Sequence, residues 1–414
     1  MAAALAVAPP IDLVERRAAD TIRAYSSEGD HRTATTVDRA SAGALLLCAR
    51  ATGAVASLEP FDLSRVDTAA AFAQIGGQRI AGLPMFDGAF TDARGVTGRL
   101  GAFDGDQPIG WTRIAPNAEA ALRKMREGSR HAAILAVTTG GKPGLCPVNA
   151  GWFNEPFGPP VLLVSSDHLA VIESAAAARA EIRLVAAATR SRAQAFNVVA
   201  EIEGARPELA PVCVMTPRSG WHANASERGG GLVCWLEAMR ASVDAKDPAA
   251  RFASSRLRRN EEGGDDGKPR LLRTVRFVAS SGHELGHLGL HDYLRRNPTL
   301  ARAAYAWVHF GANIGTSTGD TGMTCSDDLL RDAALRALAP EGLDKIRQSP
   351  AAQVGGEAAT IKEHDGRFVS FIGRNDWFHN PGDRWPQAVD VPAVARFARA
   401  AADLTLSLAN TSGT

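Results

Sequence analysis

The chain has 414 residues, more than one ordinary hydrophobic core holds, so we expect a large domain and a smaller one. Hydrophobic residues make up 45% of the sequence and charged residues 22%, as is typical of soluble globular proteins. With 46 basic and 45 acidic residues the net charge is +1. This balance gives no electrostatic reason to expect a nucleic-acid partner or an acidic membrane surface.

The N-terminal stretch "MAAALAVAPPIDL" has a short apolar run without a basic flank before it. This pattern is typical of neither a signal peptide nor a membrane span. The five cysteines are scattered along the chain and form no C-x-x-C pair. We therefore expect reduced thiols and a cytoplasmic location.

The first half of the chain predicts two parts of different texture. Residues 11–56 carry apolar residues at spacings of three and four, which predicts helices. "GAVASLEPFDL" then predicts a strand and a turn. Between residues 71 and 190, short apolar runs and many glycines predict a smaller β-rich module. Two helices are expected within it, at "NAEAALRKMREG" and "LAVIESAAAARA".

After residue 190, strand-length apolar runs alternate with helical patterns. Strands are expected at "FNVVAEIEG", "APVCVMTP", "LLRTVRFVASSG" and "RFVSFIGRN", and helices at "GGGLVCWLEAMRASV" and "VPAVARFARAAADLTLSLAN". The run "ARAAYAWVHFGANIG" fits a helix or a strand, and the polar, Gly-rich residues 258–270 predict a solvent loop. The alternation predicts an α/β fold, with a mostly parallel mixed sheet flanked by helices.

The segment His283-Glu284-Leu285-Gly286-His287 fits H-E-x-x-H, the zinc motif of thermolysin-type proteases. That motif works on a helix, where residues four apart share a face. Here a strand-like run precedes His283, and Gly286 and Gly289 each cost about 1 kcal/mol relative to Ala inside a helix. We expect the segment to lie at a strand end, in a loop leading into a helix near residues 290–295. A strand end in a parallel sheet is also where α/β proteins place their chemistry.

Four stretches, taken in order, resemble motifs of the di-zinc exopeptidase family, which includes bacterial aminopeptidases, glutamate carboxypeptidase and the transferrin receptor, with glutaminyl cyclases as relatives. They are "FNVVAEIEG", "SERGGGLVCWLEAMR", "RTVRFVASSGHELGHLGLHDYL" and "FHNPGDRW". The resemblance implies a zinc-aminopeptidase-like catalytic domain built from residues 1–70 and 191–414. It also implies that residues 71–190 form an inserted domain similar to the protease-associated domain.

The resemblance implies a reduced metal site. The positions of one family histidine and one family aspartate fall on Thr216 and Ala312, which cannot replace them as ligands. The three remaining ligand positions fall on Glu227, Glu284 and His379. Such a nitrogen and oxygen donor set suits one zinc ion per chain with an open coordination position. Glu227, which precedes a helix, also fits a carboxylate stabilised by the helix dipole alone.

Other site residues follow from the same resemblance. His283 falls on the position of the catalytic base, so it is expected to move protons, with the role of a further metal ligand left open. Arg218 is expected to place its cation near the vacated metal position. The residues expected to contact substrate are Trp221, His222, Asn375, Asp376 and Trp377. For the tryptophans simple packing is an alternative, and for Asn375 and Asp376 a turn.

The function that these features favour is a metal-dependent hydrolase, or an aminoacyl-transfer enzyme, acting on an amide bond of a small amino-acid or peptide-like substrate. One alternative is a catalytically inactive pseudo-peptidase that binds no metal and serves binding or assembly. Another is a zincin-type protease that uses His283 and His287. We expect no nucleic-acid or membrane partner, and a homo-oligomer stays open.

Overall fold

The computed structural model describes residues 12–246 and 271–413, so the predicted solvent loop at 258–270 lies outside the described residues. The helices are α1 (Leu13–Ser27), α2 (Thr36–Ala51), α3 (Glu119–Glu127), α4 (Leu169–Ala177), α5 (Gly229–Lys246), α6 (Leu288–Arg296), α7 (Leu300–Ala303), α8 (Asp328–Leu338), α9 (Glu357–Glu363) and α10 (Val391–Ala409). The strands are β1 (Ala56–Ile75), β2 (Gln78–Pro84), β3 (Val96–Ala102), β4 (Ile109–Ile114), β5 (Ala133–Thr138), β6 (Val161–Ser165), β7 (Glu181–Ile202), β8 (Val212–Pro217), β9 (Val275–Ser280), β10 (Ala306–Phe310), β11 (Thr321–Cys325), β12 (Arg347–Ser349) and β13 (Phe368–Gly373).

The larger part of the sheet runs in the order β7-β9-β8-β10-β13-β11-β12. Strands β9, β8, β10 and β13 are parallel neighbours, whereas β7 and β11 join them antiparallel. Helices cover this sheet, so its central strands are buried along their whole length. The prediction of a mostly parallel mixed sheet flanked by helices is confirmed.

Two long antiparallel strands link this sheet to a smaller group of strands. β1 and β7 pair from Ala56–Ala200 to Ile75–Ile182, with one shift of register between Thr68 and Ala70. The strand and turn predicted at "GAVASLEPFDL" is wrong in its second half, because the chain continues as one strand through Pro60. Strands β2 to β6 lie within residues 78–165 and pair mostly in parallel. The domain boundaries at residues 71 and 190 stay a prediction.

Helix α5 lies at the centre of the main hydrophobic core. Its Trp235 is fully buried and packs edge-on against Phe277 of β9, with ring centroids 5.8 Å apart. Burial of each such side chain contributes about 1.5–3 kcal/mol. The first turn of α5 packs directly against the backbone at Ile314, since a Cβ on Gly230 would lie 1.9 Å from the carbonyl oxygen of Ile314. Glycine at this position therefore sets the helix close to the ends of the central strands.

The ambiguous run "ARAAYAWVHFGANIG" forms the short helix α7 followed by the buried strand β10. Among the residues that the structure describes, none of the helices combines the length and the hydropathy needed to span a bilayer.

Candidate active site

A cavity of about 580 Å³ lies where the parallel strands β9, β10 and β13 end. Its wall combines residues in or after these strands, residues around the start of α9 and residues of the β-rich segment: Pro116, Asn117, Glu119, Asn149, His283, His287, His309, Gly311, Ala312, Asn313, Gly355, Gly356, Glu357, Ala359, Ile372, Gly373, Arg374, Asn375 and Phe378. The crevice outside the carboxyl ends of the strands is the usual place for ligands in such sheets. The position therefore agrees with the strand-end site expected from the sequence.

The H-E-x-x-H segment forms no continuous helix. After β9 ends at Ser280, residues His283–Leu285 form a single 3-10 turn between Gly282 and Gly286, whose φ angles are +82° and +78°. His287 follows with a φ of +59°, a left-handed conformation that is uncommon for a residue with a Cβ. This backbone still brings the two histidine rings together, with centroids 5.2 Å apart.

Glu357, the first residue of α9, completes this group. Its Oε1 lies 2.8 Å from Nδ1 of His283, and its Oε2 lies 3.3 Å from Nε2 of His309. Potential metal-ligand atoms of His283, His287 and Glu357 all lie within 4.8 Å of one another. Among the described histidines, cysteines and carboxylates, this is the cluster of three or more that meets that limit. We call these three residues the His-His-Glu cluster.

The three groups of the cluster shift one another's pKa values. Burial lowers the pKa of His283 to about 4, and the nearby Arg228 guanidinium acts in the same direction. Burial also lowers the pKa of His287. Burial alone would raise the pKa of Glu357, but His283 and His287 hold it well below its usual value. These opposing effects couple the three groups, so their protons belong to the cluster as a whole.

Glu227 and His379 lie together in a second buried group. Nε2 of His379 is 3.4 Å from Oε1 of Glu227, and Nη2 of Arg228 is 2.7 Å from the same oxygen. Asp383 fixes the backbone at Glu227, because its carboxylate accepts hydrogen bonds from the backbone N–H groups of Ser226 and Glu227. Burial raises the pKa of Asp383 to about 6. The motif "FHNPGD" thus supplies both His379 and the carboxylate that positions Glu227.

Glu284, the third expected ligand, faces different partners. Its Oε1 accepts a hydrogen bond of 2.6 Å from the backbone N–H of Thr33, and its Oε2 accepts one of 2.8 Å from the hydroxyl of Ser219. Burial raises the pKa of Glu284, and these hydrogen bonds oppose that effect. The structure therefore brings Glu227 and His379 together but gives Glu284 a hydrogen-bonding role beneath the His283 turn.

Arg218 is fully buried and paired elsewhere. Its Nη1 lies 2.9 Å from Oδ1 of Asp38, and its other donors bond to the carbonyl oxygen of Phe196. The guanidinium beside Glu227 belongs instead to Arg228. The resemblance led us to expect the cation of Arg218 near this site, but Arg228 is the residue that places a cation beside Glu227.

The residues expected to contact substrate are placed in different ways. Trp221 is buried and donates a hydrogen bond from Nε1 to Asn149, and Nε2 of His222 lies 3.3 Å from the carbonyl oxygen of Leu145. Asn375 lines the cavity, but its amide bonds to Ser226 and Asn313. Asp376 is exposed, and the ring of Trp377 lies 5.5 Å from Nζ of Lys142.

Sequence reasoning missed Glu357, Arg228 and Glu119, and it gave no role to His309. Glu119, the first residue of α3, lines the cavity from the β-rich segment. Burial, helped by the carboxylate of Asp87, raises its pKa to about 7. Glu357 and Glu119 each begin a short helix, and a carboxylate at that position is so common that it carries no signal by itself.

Comparison of the sequence with protein-family models and with curated proteins found no match. Solved structures, in contrast, match over nearly the whole chain. A Peptidase M28 precursor from Shewanella amazonensis SB2B has a TM-score of 0.72 at 15% identity, covering 97% of this chain and 96% of that one. The zinc aminopeptidase BSAP from Bacillus subtilis has a TM-score of 0.70 at 15% identity, covering 95% of each chain.

An aminopeptidase from Aneurinibacillus sp. strain AM-1 has a TM-score of 0.66 at 13% identity, covering 94% of this chain and 92% of that one. These likenesses confirm the resemblance to zinc aminopeptidases at the level of the fold. At such identities the activity does not follow from the fold.

Proposed function

We propose that the protein is a metal-dependent hydrolase that cleaves an amide bond of a small amino-acid or peptide-like substrate, with one metal ion rather than two. Transfer of the acyl group to an amine is the same chemistry with a different acceptor. The observation that carries the proposal is the cavity itself. It lies at the carboxyl ends of the strands in an aminopeptidase-like fold, and its wall holds a buried carboxylate beside two imidazoles with metal-ligand spacing.

The side chains present fit a metal in type and number. Zinc sites of hydrolases use three protein ligands drawn from histidine and carboxylate groups and leave one position open. The His-His-Glu cluster provides such a set. Glu227, Glu284 and His379 stay a prediction as ligands, because Glu284 would have to exchange its bonds to Thr33 and Ser219 for the ion. When bound, zinc polarises a carbonyl group and lowers the pKa of a water ligand.

Two residues of the cavity wall suit proton transfer. Glu119, with a pKa of about 7, exchanges a proton close to neutral pH. His283, when not bound to a metal, is a neutral imidazole that is oriented by Glu357 through Nδ1. Carboxyl and imidazole groups of this kind carry protons to a leaving amine or from an attacking water.

The cavity suits a small polar substrate. Its volume of about 580 Å³ lies within the range for small-molecule sites. Asn117 and Asn149 present amide groups suited to a peptide main chain. Arg374 is exposed at the rim and offers a cation to a substrate carboxylate. A dipeptide or an amidated amino acid has the size and the charges that this wall accommodates.

The experiment is an assay of the full-length protein with zinc against free dipeptides and amino-acid anilides, with products followed by mass spectrometry. We expect hydrolysis that EDTA removes and zinc restores. His283→Ala should lower the rate by about a hundredfold or more. His291→Ala, a change at an exposed residue of α6, should leave the rate unaltered.

The second candidate is a pseudo-peptidase that binds such compounds without cleaving them. It is favoured by the losses at two family ligand positions, where the Thr216 hydroxyl bonds to the carbonyl oxygen of Phe310 and Ala312 has no donor atom. Retained binding of a dipeptide in calorimetry, with no product in the assay, would establish this candidate and overturn the first.

A further inference from the structure

We propose that the metal ion is a single divalent transition metal of the zinc class and that His283, His287 and Glu357 are its ligands. This ligand set differs from the one that the family resemblance implies. The inference deepens the proposed function and depends on it for its catalytic meaning. Metal binding by these residues can nevertheless be measured without any substrate.

The three residues of the cluster have the donor types and nearly the spacing of zinc ligands. Two imidazole nitrogens and one carboxylate oxygen form one of the known zinc sets of hydrolases. Ligands at about 2.0–2.2 Å from one zinc ion lie about 3–4 Å from each other. Potential ligand atoms of the three residues already lie within 4.8 Å. The pair His283 and Glu357 is closer, at 2.8 Å, since it shares a hydrogen bond that the ion would replace.

Residues around the cluster orient its ligands. Nδ1 of His287 lies 3.1 Å from the hydroxyl of Thr360, which leaves Nε2 for a metal. Thr360 is three residues after Glu357, so one face of helix α9 orients one ligand and supplies another. Outer contacts of this kind fix the ring and the free nitrogen in metal sites.

His309 extends the same layer. Its Nε2 lies 3.3 Å from Oε2 of Glu357, and its Nδ1 lies 2.8 Å from the hydroxyl of Ser370 on β13. His309 is fully buried and belongs to β10, so the contact holds Glu357 against the ends of the central strands. The carboxylate is thus fixed before any ion arrives, which reduces the cost of ordering it.

The buried charge of Glu357 also favours a cation at the cluster. Glu357 is 1% exposed, and among the described residues its ion-pair partners within 4.0 Å are the imidazoles of His283 and His309. A buried carboxylate without a fixed cation is costly, and a metal ion removes that cost. Glu227 is in the opposite situation, since the guanidinium of Arg228 lies 2.7 Å away. A divalent cation at Glu227 would meet that positive charge at close range. Arg228 also acts on His283, but it forms no ion pair within 4.0 Å of Glu357 among the described residues, which favours the His-His-Glu cluster.

The backbone supports the same assignment. His287 has a φ of +59°, a left-handed conformation that is strained for a residue with a Cβ. The following helix α6 begins at Leu288, so a relaxed His287 would move the start of that helix. A strained residue that aims its ring at two other donors is a candidate for function.

The test begins with wild-type protein, stripped of metal with a chelator, desalted and reloaded with zinc. We expect one zinc per chain by mass spectrometry of the metal. X-ray absorption at the zinc edge should show scattering from two imidazoles. The set Glu227, Glu284 and His379 would give one imidazole, and that result would overturn the inference while leaving the proposed hydrolase intact.

Variants provide the second measurement. Glu357→Gln, His283→Gln and His287→Gln should each raise the dissociation constant for zinc by about a hundredfold or more, with far-UV circular dichroism unchanged. His291→Gln, His379→Gln and Glu284→Gln serve as matched controls and should keep one zinc. Loss of zinc in His379→Gln and Glu284→Gln, with retention in Glu357→Gln, His283→Gln and His287→Gln, contradicts the proposed ligands. If Glu357→Gln or His283→Gln fails to fold, His287→Gln and His379→Gln decide, because the proposed set loses its zinc without His287 and keeps it without His379.

The outcomes separate the two proposals. One zinc bound by two imidazoles without hydrolysis of any peptide supports the ligand set and rejects the hydrolase. Hydrolysis that survives chelation and a zinc dissociation constant above about 1 mM reject the metal site. In that case His283, oriented by Glu357, is the group that remains for proton transfer.

Discussion

Nη2 of Arg228 lies 2.7 Å from Oε1 of Glu227, and both side chains are fully buried. The distance is that of an ion pair, but the angles are not those of a hydrogen bond, and no described residue donates to either carboxylate oxygen. Burial alone would raise the pKa of Glu227, whereas Arg228 and His379 hold it well below its usual value. A fixed cation therefore stands beside the carboxylate that the family pattern assigns to metal binding.

Replacing Arg228 should expose the cost of that buried charge. Arg228→Met leaves Glu227 without its cation, and we expect the free energy of unfolding to fall by about 3–5 kcal/mol. The double variant Glu227→Gln with Arg228→Met should lose clearly less, since both charges are gone. Urea denaturation of the two single variants and the double variant gives the coupling energy. Strictly additive losses would show that the pair does not interact.

Glu284 is expected to behave as a structural residue. Ser219 accepts hydrogen bonds from the backbone N–H groups of Gly282 and His283 and donates one to Glu284, so the carboxylate completes a network beneath the His283 turn. Glu284→Gln places an amide N–H group against the N–H of Thr33 or against Ser219. We expect a loss of about 1–3 kcal/mol in the free energy of unfolding.

The same variant should retain its zinc. Ser219→Ala, which removes the partner of Oε2 without touching a carboxylate, is the matched control and should cause a loss of similar size. A variant Glu284→Gln that keeps wild-type stability but binds no zinc would contradict the structural role and favour the ligand set implied by the family.

How much the sequence could predict depends on how local each feature is. The strand before His283, the glycines at 282 and 286 and the helix after them are neighbours in the chain, so the non-helical H-E-x-x-H segment was predictable and is confirmed. Glu357 lies 74 residues from His283, and no spacing rule links them. Arg228 is the chain neighbour of Glu227, but neighbouring side chains need not meet, so only packing shows that Arg228 pairs with Glu227 and that Arg218 pairs with Asp38.

Resemblance to the family had a similar limit. It placed Glu227 and His379 together, and the structure does so as well. It could not show which way the carboxylate of Glu284 turns, because Thr33 and Ser219 lie outside the motif that contains it. A motif fixes the backbone position of a side chain more reliably than its direction.

Glu119 should make stability depend on pH. In the folded protein its pKa is about 7, against an ordinary value of 4.5, because burial and Asp87 disfavour the charged form. Below about pH 4.5 both the folded and the unfolded state hold the proton, so no cost arises. As the pH rises from there to about 7, the unfolded state ionises first and stability falls. Above about pH 7 the full cost remains, on the order of 3 kcal/mol.

Glu119→Gln keeps the shape of the side chain and removes this ionisation. Its free energy of unfolding relative to wild type should therefore rise between about pH 4.5 and 7 and then stay constant. Urea denaturation at several pH values measures the difference. Glu127→Gln is the control, since Glu127 is exposed on the same helix and pairs with Arg123 at 2.6 Å. If the difference for Glu119→Gln stays flat across this range, Glu119 ionises as in the unfolded chain, and its assignment to proton transfer near neutral pH is wrong.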